Sequence, residues 1–141
     1  MEVVGAGATL CYGLLELFIG AAEDFMSDQD TTVAALRQLV KHFVDQRDWH
    51  QFHAPKNLSM ALAIEAAELM EHFQWITTEA SRRIGDDARK RSEVSDELAD
   101  IVCYALAIAN ELSIDIDTAM RDKMKKNEAK YPAREYRGRY Q

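Results

Sequence analysis

The stretch VSDELADIVCYALAIANEL, residues 94–112, decides the fold of this chain. Apolar side chains recur in it every three or four positions, which is the spacing of an α-helix. They cover most of the helix circumference, so the helix should be buried on several sides. The pattern therefore predicts a long central helix over about residues 87–112.

Three further helices are predicted around this one. Only 2 Pro and 6 Gly occur in 141 residues, which favours long helices over a turn-rich β-sandwich. Asn57 is a favourable N-cap residue. The central helix is too apolar for one chain to cover, so the expected fold class is all-α, a four-helix bundle domain completed by oligomerisation. The other helices are predicted at about 32–48, at about 57–77, and from Asp115 or Asp117 to about 130, with a polar connection at 77–90 and a loose tail at 133–141.

Charge and cysteine content narrow the functional class. The chain has 24 acidic and 17 basic residues, a formal net charge of −7. Non-specific nucleic-acid binding needs a basic face, so no nucleic-acid partner is expected. Cys11 and Cys103 do not make a disulfide framework or a zinc site. Cys103 lies in an apolar run and is interpreted as a reduced core residue, which favours a cytoplasmic location.

The first 25 residues differ from the rest. They hold two apolar runs, but also Glu16, and no Lys or Arg precedes Arg37. A signal peptide begins with basic residues and a membrane span usually has basic flanks, so neither is expected, nor any membrane partner. We expect residues 1–25 to be an N-terminal extension of unknown role. Residues 26–141 are then one domain, with its core at about 32–132.

Carboxylates interrupt the apolar faces of two predicted helices. Glu65 and Glu68 stand three residues apart on the second helix, and Glu97 and Asp100 repeat that spacing on the third. Residues three apart share a helix face, and buried like charges repel one another and lose their water. A hard divalent cation offsets both costs, and carboxylate oxygens suit Mg²⁺, with Mn²⁺ as a substitute. The structural alternative is a solvated face of salt bridges.

The last predicted helix carries the positive charge that a polyphosphate needs. Lys123, Asn127 and Lys130 lie along one face, at positions i, i+4 and i+7, and are called the cation face. A metal bridges phosphate oxygens while lysines neutralise the remaining charge. The structural alternative is the usual placement of lysine near a helix C-terminus. Aromatic side chains that can stack on a base, or pack in a core instead, are Trp49, His53, Trp75 and Tyr104.

Four blocks of sequence carry a resemblance to a known family. They are RDWHQFHAPKNL (47–58), EAAELMEHFQW (65–75), DELADIV (96–102) and KMKKNEAKYP (123–132). Together they closely resemble the MazG-like nucleotide pyrophosphohydrolases and, within them, the dCTP pyrophosphatase branch. The pattern of that family is Glu-x-x-Glu followed, after a spacer, by Glu-x-x-Asp. Residues 1–25 have no counterpart in it.

The resemblance implies an all-α homodimer or homotetramer that cleaves a nucleoside triphosphate, with Mg²⁺, to the monophosphate and pyrophosphate. The implied role is nucleotide-pool sanitation, with dCTP or modified dCTP as the favoured substrate. Val40 stands where some relatives carry a histidine near the base, and His72 replaces an apolar residue of those relatives. The implied metal-binding and catalytic residues are Glu65, Glu68, Glu97 and Asp100. The implied phosphate-binding residues are Lys123, Asn127 and Lys130, and the implied base-binding residues are Trp49, His53, Trp75 and Tyr104.

Other functions fit parts of this pattern. A carboxylate cluster in a helical bundle also describes a non-catalytic regulator that binds a divalent metal or a nucleotide. A di-iron bundle expects Glu-x-x-His pairs, whereas Glu68 and His72 are four residues apart and the third helix has no histidine. The residue that activates water, Glu68 or Glu71 for example, stays open at this level. So do the number of metal ions, the physiological nucleotide and the choice between dimer and tetramer.

Overall fold

A computed structural model of the protein describes residues 27–139. The predicted extension, residues 1–25, lies outside these residues. From Ser27 to Thr31 the chain forms a turn, in which the amides of Asp30 and Thr31 donate to the Ser27 carbonyl at 2.9 and 3.1 Å. A separate helical unit begins at Val33.

The helical unit confirms the all-α prediction, since no strand occurs between residues 27 and 139. Four long helices follow the predicted order, and two short ones join them. In chain order they are α1 (Val33–Gln46), α2 (Pro55–Glu71), α3 (Thr78–Ser81), α4 (Ala88–Glu111), α5 (Ile116–Lys130) and α6 (Ala133–Tyr136). Short 3-10 turns lie at His50–Phe52 and Ile84–Asp86.

Helix α4 is the central element of the unit. Both α1 and α2 pack against it, and α2 does so more extensively. Large apolar side chains remain exposed, among them Leu39 of α1 (61%) and Leu98 of α4 (52%). No helix among residues 27–139 combines the length and the apolar character needed to cross a bilayer. The buried apolar side chains of the described chain are Val44, Leu58, Leu106, Ala107 and Ala109.

Helix α2 begins earlier than predicted. Its first residue is Pro55, preceded by Ala54 in an extended conformation, because the fixed φ of proline suits the first helical position and that position needs no N–H. The prediction of Asn57 as the N-cap was therefore wrong. Asn57 lies in the first turn, where its side-chain amide donates to the Phe52 carbonyl at 3.1 Å and ties the preceding loop to the helix.

Helix α2 also ends earlier than predicted, at Glu71 rather than near residue 77. Ile76, Thr77 and Thr78 are β-branched, which lowers their helix propensity. The Thr77 hydroxyl also accepts a bond from the Ala80 amide at 3.1 Å and so caps α3 instead. Short helices thus occupy parts of two segments that were predicted to lack them, the polar connection and the tail.

Helices α1 and α4 end in the same hydrogen-bonded motif, a Schellman turn. After α1, the Asp48 amide donates to the Asp45 carbonyl and the Trp49 amide donates to the Val44 carbonyl, both at 3.2 Å. Asp48 has a φ of 51°, in the left-handed region. This turn reverses the chain so that Trp49 lies against the helix it follows, with its ring on Phe43.

The turn after α4 is built in the same way. The Ser113 amide donates to the Asn110 carbonyl at 3.3 Å, and the Ile114 amide donates to the Ala109 carbonyl at 2.9 Å. Ser113 has a φ of 51°, at the position where glycine is usual. Helix α5 starts directly afterwards, and Asp115, one of the two predicted caps, accepts a bond from the Thr118 amide at 2.8 Å.

We expect Ser113→Gly to stabilise the protein by about 1 kcal/mol, because an L-residue pays a steric penalty in the left-handed region that glycine avoids. Urea unfolding of the variant and the wild type measures the difference. Ser113→Ala is the matched control, since it removes the hydroxyl and keeps the Cβ atom. A variant Ser113→Gly that is no more stable than the wild type would contradict the strain assigned to this turn.

Candidate active site

Three carboxylates converge where α2 packs against α4. Glu65 and Glu68 come from successive positions on one face of α2, and Glu97 comes from α4. One carboxylate oxygen of each lies within 4.8 Å of the others, and these three residues are called the carboxylate cluster. Glu65 and Glu97 are half-buried, whereas Glu68 is exposed.

Asp100 lies beside the carboxylate cluster rather than within it. The cluster brings together three of the four predicted ligands, but the charge of Asp100 still acts on its neighbours. Partial burial raises the pKa of Glu65, and the negative charges of Glu68, Asp100 and Glu97 raise it further. Among residues 27–139, no ion pair joins a lysine or arginine to any of these four carboxylates. Their mutual repulsion is therefore not offset by the protein itself.

The residues present fit a hard divalent cation. All donors are carboxylate oxygens, which is the set that Mg²⁺ or Mn²⁺ prefers. Two ligands on opposite sides of Mg²⁺ are about 4 Å apart, and the observed spacing within 4.8 Å is close to that value. The absence of histidine or cysteine from the cluster argues against a softer metal.

A cavity of about 520 Å³ opens next to the cluster, between α1 and α4. Asp100 lines it, and so do Trp49, His53 and Tyr104, which are called the aromatic wall. The same three aromatic residues line a second cavity, of about 410 Å³, on the side toward the start of α2. Burial raises the pKa of the Tyr104 hydroxyl, and so do the nearby charges of Glu65 and Asp100. The aromatic wall is therefore adjacent to the acidic residues.

The aromatic wall is held in place by ring contacts and one hydrogen bond. The rings of Trp49 and His53 are stacked, with centroids 6.5 Å apart and an angle of 26° between the planes. Phe43 meets the Trp49 ring edge-on at 5.8 Å, and the Arg47 guanidinium lies 3.6 Å from the Phe43 ring centroid. His53 Nδ1 lies 2.9 Å from the Trp49 carbonyl oxygen. These contacts set the orientation of both rings.

Among residues 27–139, the remaining predicted site residues neither line the two cavities nor form an ion pair with the carboxylates. Trp75 follows the end of α2 and is 86% exposed, and neither cavity reaches it. The cation face of α5 shares no ion pair with the carboxylates among residues 27–139. Within that face, Asn127 contacts Met124 and the Lys130 ammonium lies 5.0 Å from the Tyr131 ring.

Sequence reasoning missed several residues that line the larger cavity. Leu39 and Phe43 of α1 form part of it, although the helical spacing had marked that face only as packing surface. Cys103 also lines it and is exposed, so the prediction that this thiol is a core residue was wrong. Residue 103 is exposed overall, but the cavity walls partly enclose its sulfur; this partial burial, and then the charge of Asp100, raise the pKa of the Cys103 thiol, which keeps it protonated. The sequence signal for this placement of Cys103 was its position directly before Tyr104, which was predicted to contact the base.

Comparison with known proteins identifies the family of the chain. The sequence model of the MazG-like family matches residues 60–140. The dCTP pyrophosphatase 1 of Homo sapiens is 38% identical over 109 residues, which are 77% of this chain and 64% of the human protein. The chain thus spans slightly less than two thirds of that relative. The rat enzyme of the same name is 33% identical over 133 residues, 94% of this chain and 78% of the rat protein.

A solved structure has the same fold. The crystal structure of a pyrophosphatase from Archaeoglobus fulgidus is 34% identical and superposes with a TM-score of 0.67. The superposition covers 77% of this chain and 99% of the archaeal one. Taken with the family match and the identities above, it establishes that the chain belongs to the MazG-like family.

Proposed function

We propose that this protein is a Mg²⁺-dependent nucleoside triphosphate pyrophosphohydrolase that removes dCTP or a modified dCTP from the nucleotide pool. The observation that carries the proposal is the carboxylate cluster, open to a metal and adjacent to an aromatic cavity through Asp100. Relatives at 33–38% identity are named dCTP pyrophosphatase 1, and the archaeal structure is named a pyrophosphatase. Both names describe the cleavage that a carboxylate-held cation next to a base pocket supports.

The reaction breaks the bond between the α-phosphorus and the oxygen that bridges to the β-phosphate. A water oxygen forms the new bond to the α-phosphorus, pyrophosphate leaves, and the water proton passes to a base. Glu65, Glu68, Glu97 and Asp100 would hold Mg²⁺, which polarises the phosphates and offsets charge on the leaving group. We assign the orientation or deprotonation of the water to Glu68, because it belongs to the cluster and is exposed.

The aromatic wall supports a base with an exocyclic amino group. The Trp49 carbonyl oxygen can only accept a hydrogen bond, so His53 Nδ1 is the donor; in the tautomer that carries its one proton on Nδ1, Nε2 is an acceptor. An acceptor complements the amino group of cytosine or adenine, whereas thymine and uracil present a carbonyl oxygen there. Val40, which lines the same cavity, adds no hydrogen-bonding group.

The cation face and Trp75 would complete the site through oligomerisation. Four large side chains along α1 are exposed, which leaves an apolar stripe that a second chain would cover: Val33, Leu36, Leu39 and Phe43. Trp75 is too exposed to act as a base contact within its own chain. We therefore assign the protein a homodimeric or homotetrameric state in which Trp75, Lys123, Asn127 and Lys130 reach the nucleotide across or beside the interface. The free Cys103 thiol accords with a reducing, cytoplasmic location.

The metal assignment is tested with Glu97→Gln and Asp100→Asn, which should abolish Mg²⁺-dependent hydrolysis of dCTP. Removing one like charge from the cluster should also raise the melting temperature of the metal-free protein, by about 2 °C for Glu97→Gln. Hydrolysis is measured by pyrophosphate release, and stability by thermal melts with and without Mg²⁺. The exposed Glu79 provides the control Glu79→Gln, which should behave as the wild type.

Retained turnover in Glu97→Gln or in Asp100→Asn would refute the metal assignment. Wild-type protein that is stabilised by Mg²⁺ and dCTP but releases no pyrophosphate would favour the non-catalytic regulator instead.

Since different residues are assigned to the base and to the phosphates, substitutions in the two sets should affect the kinetic constants differently. Trp49→Ala and His53→Ala should raise KM for dCTP about tenfold, because stacking on one aromatic side chain is worth roughly 1–3 kcal/mol. Both substitutions should also narrow the differences in kcat/KM among the four dNTPs. Lys123→Ala should instead lower kcat/KM by a similar factor for every base, since it contacts phosphate common to all. Steady-state kinetics of each variant with each dNTP measures both effects.

Lys125→Ala is the matched control for that series. Lys125 lies on the opposite side of α5 from Lys123 and pairs with Asp122, so Lys125→Ala should change kcat/KM little for any dNTP. A change of base preference in Lys123→Ala, with the preference unchanged in Trp49→Ala, would show that the assignment of Trp49 to the base and Lys123 to the phosphates is wrong.

Oligomerisation predicts the mass in solution. Light scattering at micromolar concentration should give two or four chain masses, because the exposed apolar surface is expected to be covered by a second copy. Leu36→Glu, at a position that lines neither cavity, should shift the protein toward monomer and reduce turnover, while the exposed polar change Gln38→Glu on the same helix should not. A fully active monomer would contradict the assignment.

A further inference from the structure

A single arginine of α1 holds the turn between α4 and α5. The Arg37 guanidinium donates three hydrogen bonds: Nε to Asn110 Oδ1 at 2.8 Å, Nη1 to the Ile114 carbonyl at 3.0 Å, and Nη2 to the Ala109 carbonyl at 3.2 Å. The Asn110 side-chain amide donates back to the Arg37 carbonyl at 3.1 Å. The two residues thus bind each other reciprocally across 73 positions of sequence.

The three acceptors span the whole turn. Ala109 and Ile114 are the pair whose backbone bond closes the Schellman motif, and Asn110 lies between them. Ser113, within the same turn, has the left-handed φ of 51°. The planar guanidinium fork presents several donors in fixed directions, so it constrains the orientation of the turn as well as its position. The backbone at the start of α5 is thereby connected to α1.

The direction of α5 depends on this turn because the helix packs only sparsely against the other helices of the chain. The helix rises 1.5 Å per residue, so Lys123 lies about 12 Å from the cap at Asp115 and Lys130 about 22 Å. A rotation of about 10° at the turn would then move Lys123 by about 2 Å and Lys130 by about 4 Å. A misplacement of about 1 Å in a catalytic or binding group can cost about 100-fold in rate.

We propose that Arg37 is a positioning residue that sets the direction of α5 and so places the cation face against the phosphates of the substrate. The inference rests on the proposed function, because it requires that the cation face contacts phosphate. Arg37 itself touches no part of the nucleotide in this assignment. Its effect should therefore be specific to ligands that carry the β- and γ-phosphates.

The experiment compares Arg37→Met, which keeps the alkyl stem and removes every donor, with Arg37→Lys, which keeps the charge but not the fork. Arg89→Met is the matched control, because the one ion pair that Arg89 forms among the described residues is with Glu93, one turn away on the same exposed helix face. Binding of deoxycytidine, and of a dCTP analogue with a methylene bridge between the α- and β-phosphates, is measured by calorimetry with Mg²⁺. Light scattering and thermal melts establish that each variant is folded and assembled.

Arg37→Met is expected to bind the analogue about tenfold or more weakly while its affinity for deoxycytidine stays within about twofold of the wild type. Arg37→Lys should also lose affinity for the analogue, since one ammonium cannot reach three acceptors. If Arg37→Met does not fold, Arg37→Lys is used for the test instead. Equal losses for both ligands, or no loss for either, would overturn the inference.

Lys123→Ala separates this outcome from failure of the proposed function. If Lys123→Ala weakens binding of the analogue and the Arg37 variants do not, the positioning role is wrong and the proposed function stands. If the wild type itself does not bind the analogue, the proposed function fails and this inference fails with it.

Discussion

Repulsion among carboxylates at the contact of α2 with α4 is the constraint around which the site is organised. Among residues 27–139 the two helices form the most extensive helix–helix contact, and that contact places three acidic side chains close enough to share one cation. An apolar pair at these positions would stabilise a simple bundle better. Burial, and then the charges of Glu68, Asp100 and Glu97, raise the pKa of Glu65. A bound cation would offset both the lost hydration and the repulsion.

The ends of the helices do as much for function as their faces. Two Schellman turns place residues with side chains, Asp48 and Ser113, in the left-handed conformation. The first turn returns Trp49 onto α1, where the indole forms part of the aromatic wall, and the second directs α5 and its cation face. Strained backbone of this kind persists where the surrounding structure determines it, and here it borders the groups assigned to base and phosphate.

Periodicity predicted the four long helices and the convergence of Glu65, Glu68 and Glu97, since spacing decides which side chains share a helix face. Periodicity failed at the ends of α2. It does not show whether Pro55 stops a helix or begins one, so Asn57 was predicted as the N-cap although the helix begins at Pro55. The hydrogen bonds of Arg37 could not be predicted from the sequence. A lone arginine in an amphipathic helix carries no local pattern that indicates acceptors 73 residues away. The family resemblance supplied the roles of the cation face, which spacing alone leaves ambiguous with ordinary helix-end lysines.

The small core has a consequence for the balance between folded and unfolded chains. Few side chains are buried in the described unit, so we expect the free energy of unfolding of one chain to be small and each binding event to contribute a large share of the total. A ligand that binds only the folded form adds RT ln(1 + [L]/Kd), about 2.7 kcal/mol at a hundredfold excess over Kd. The fraction of native protein should therefore rise with the concentration of whatever the site binds.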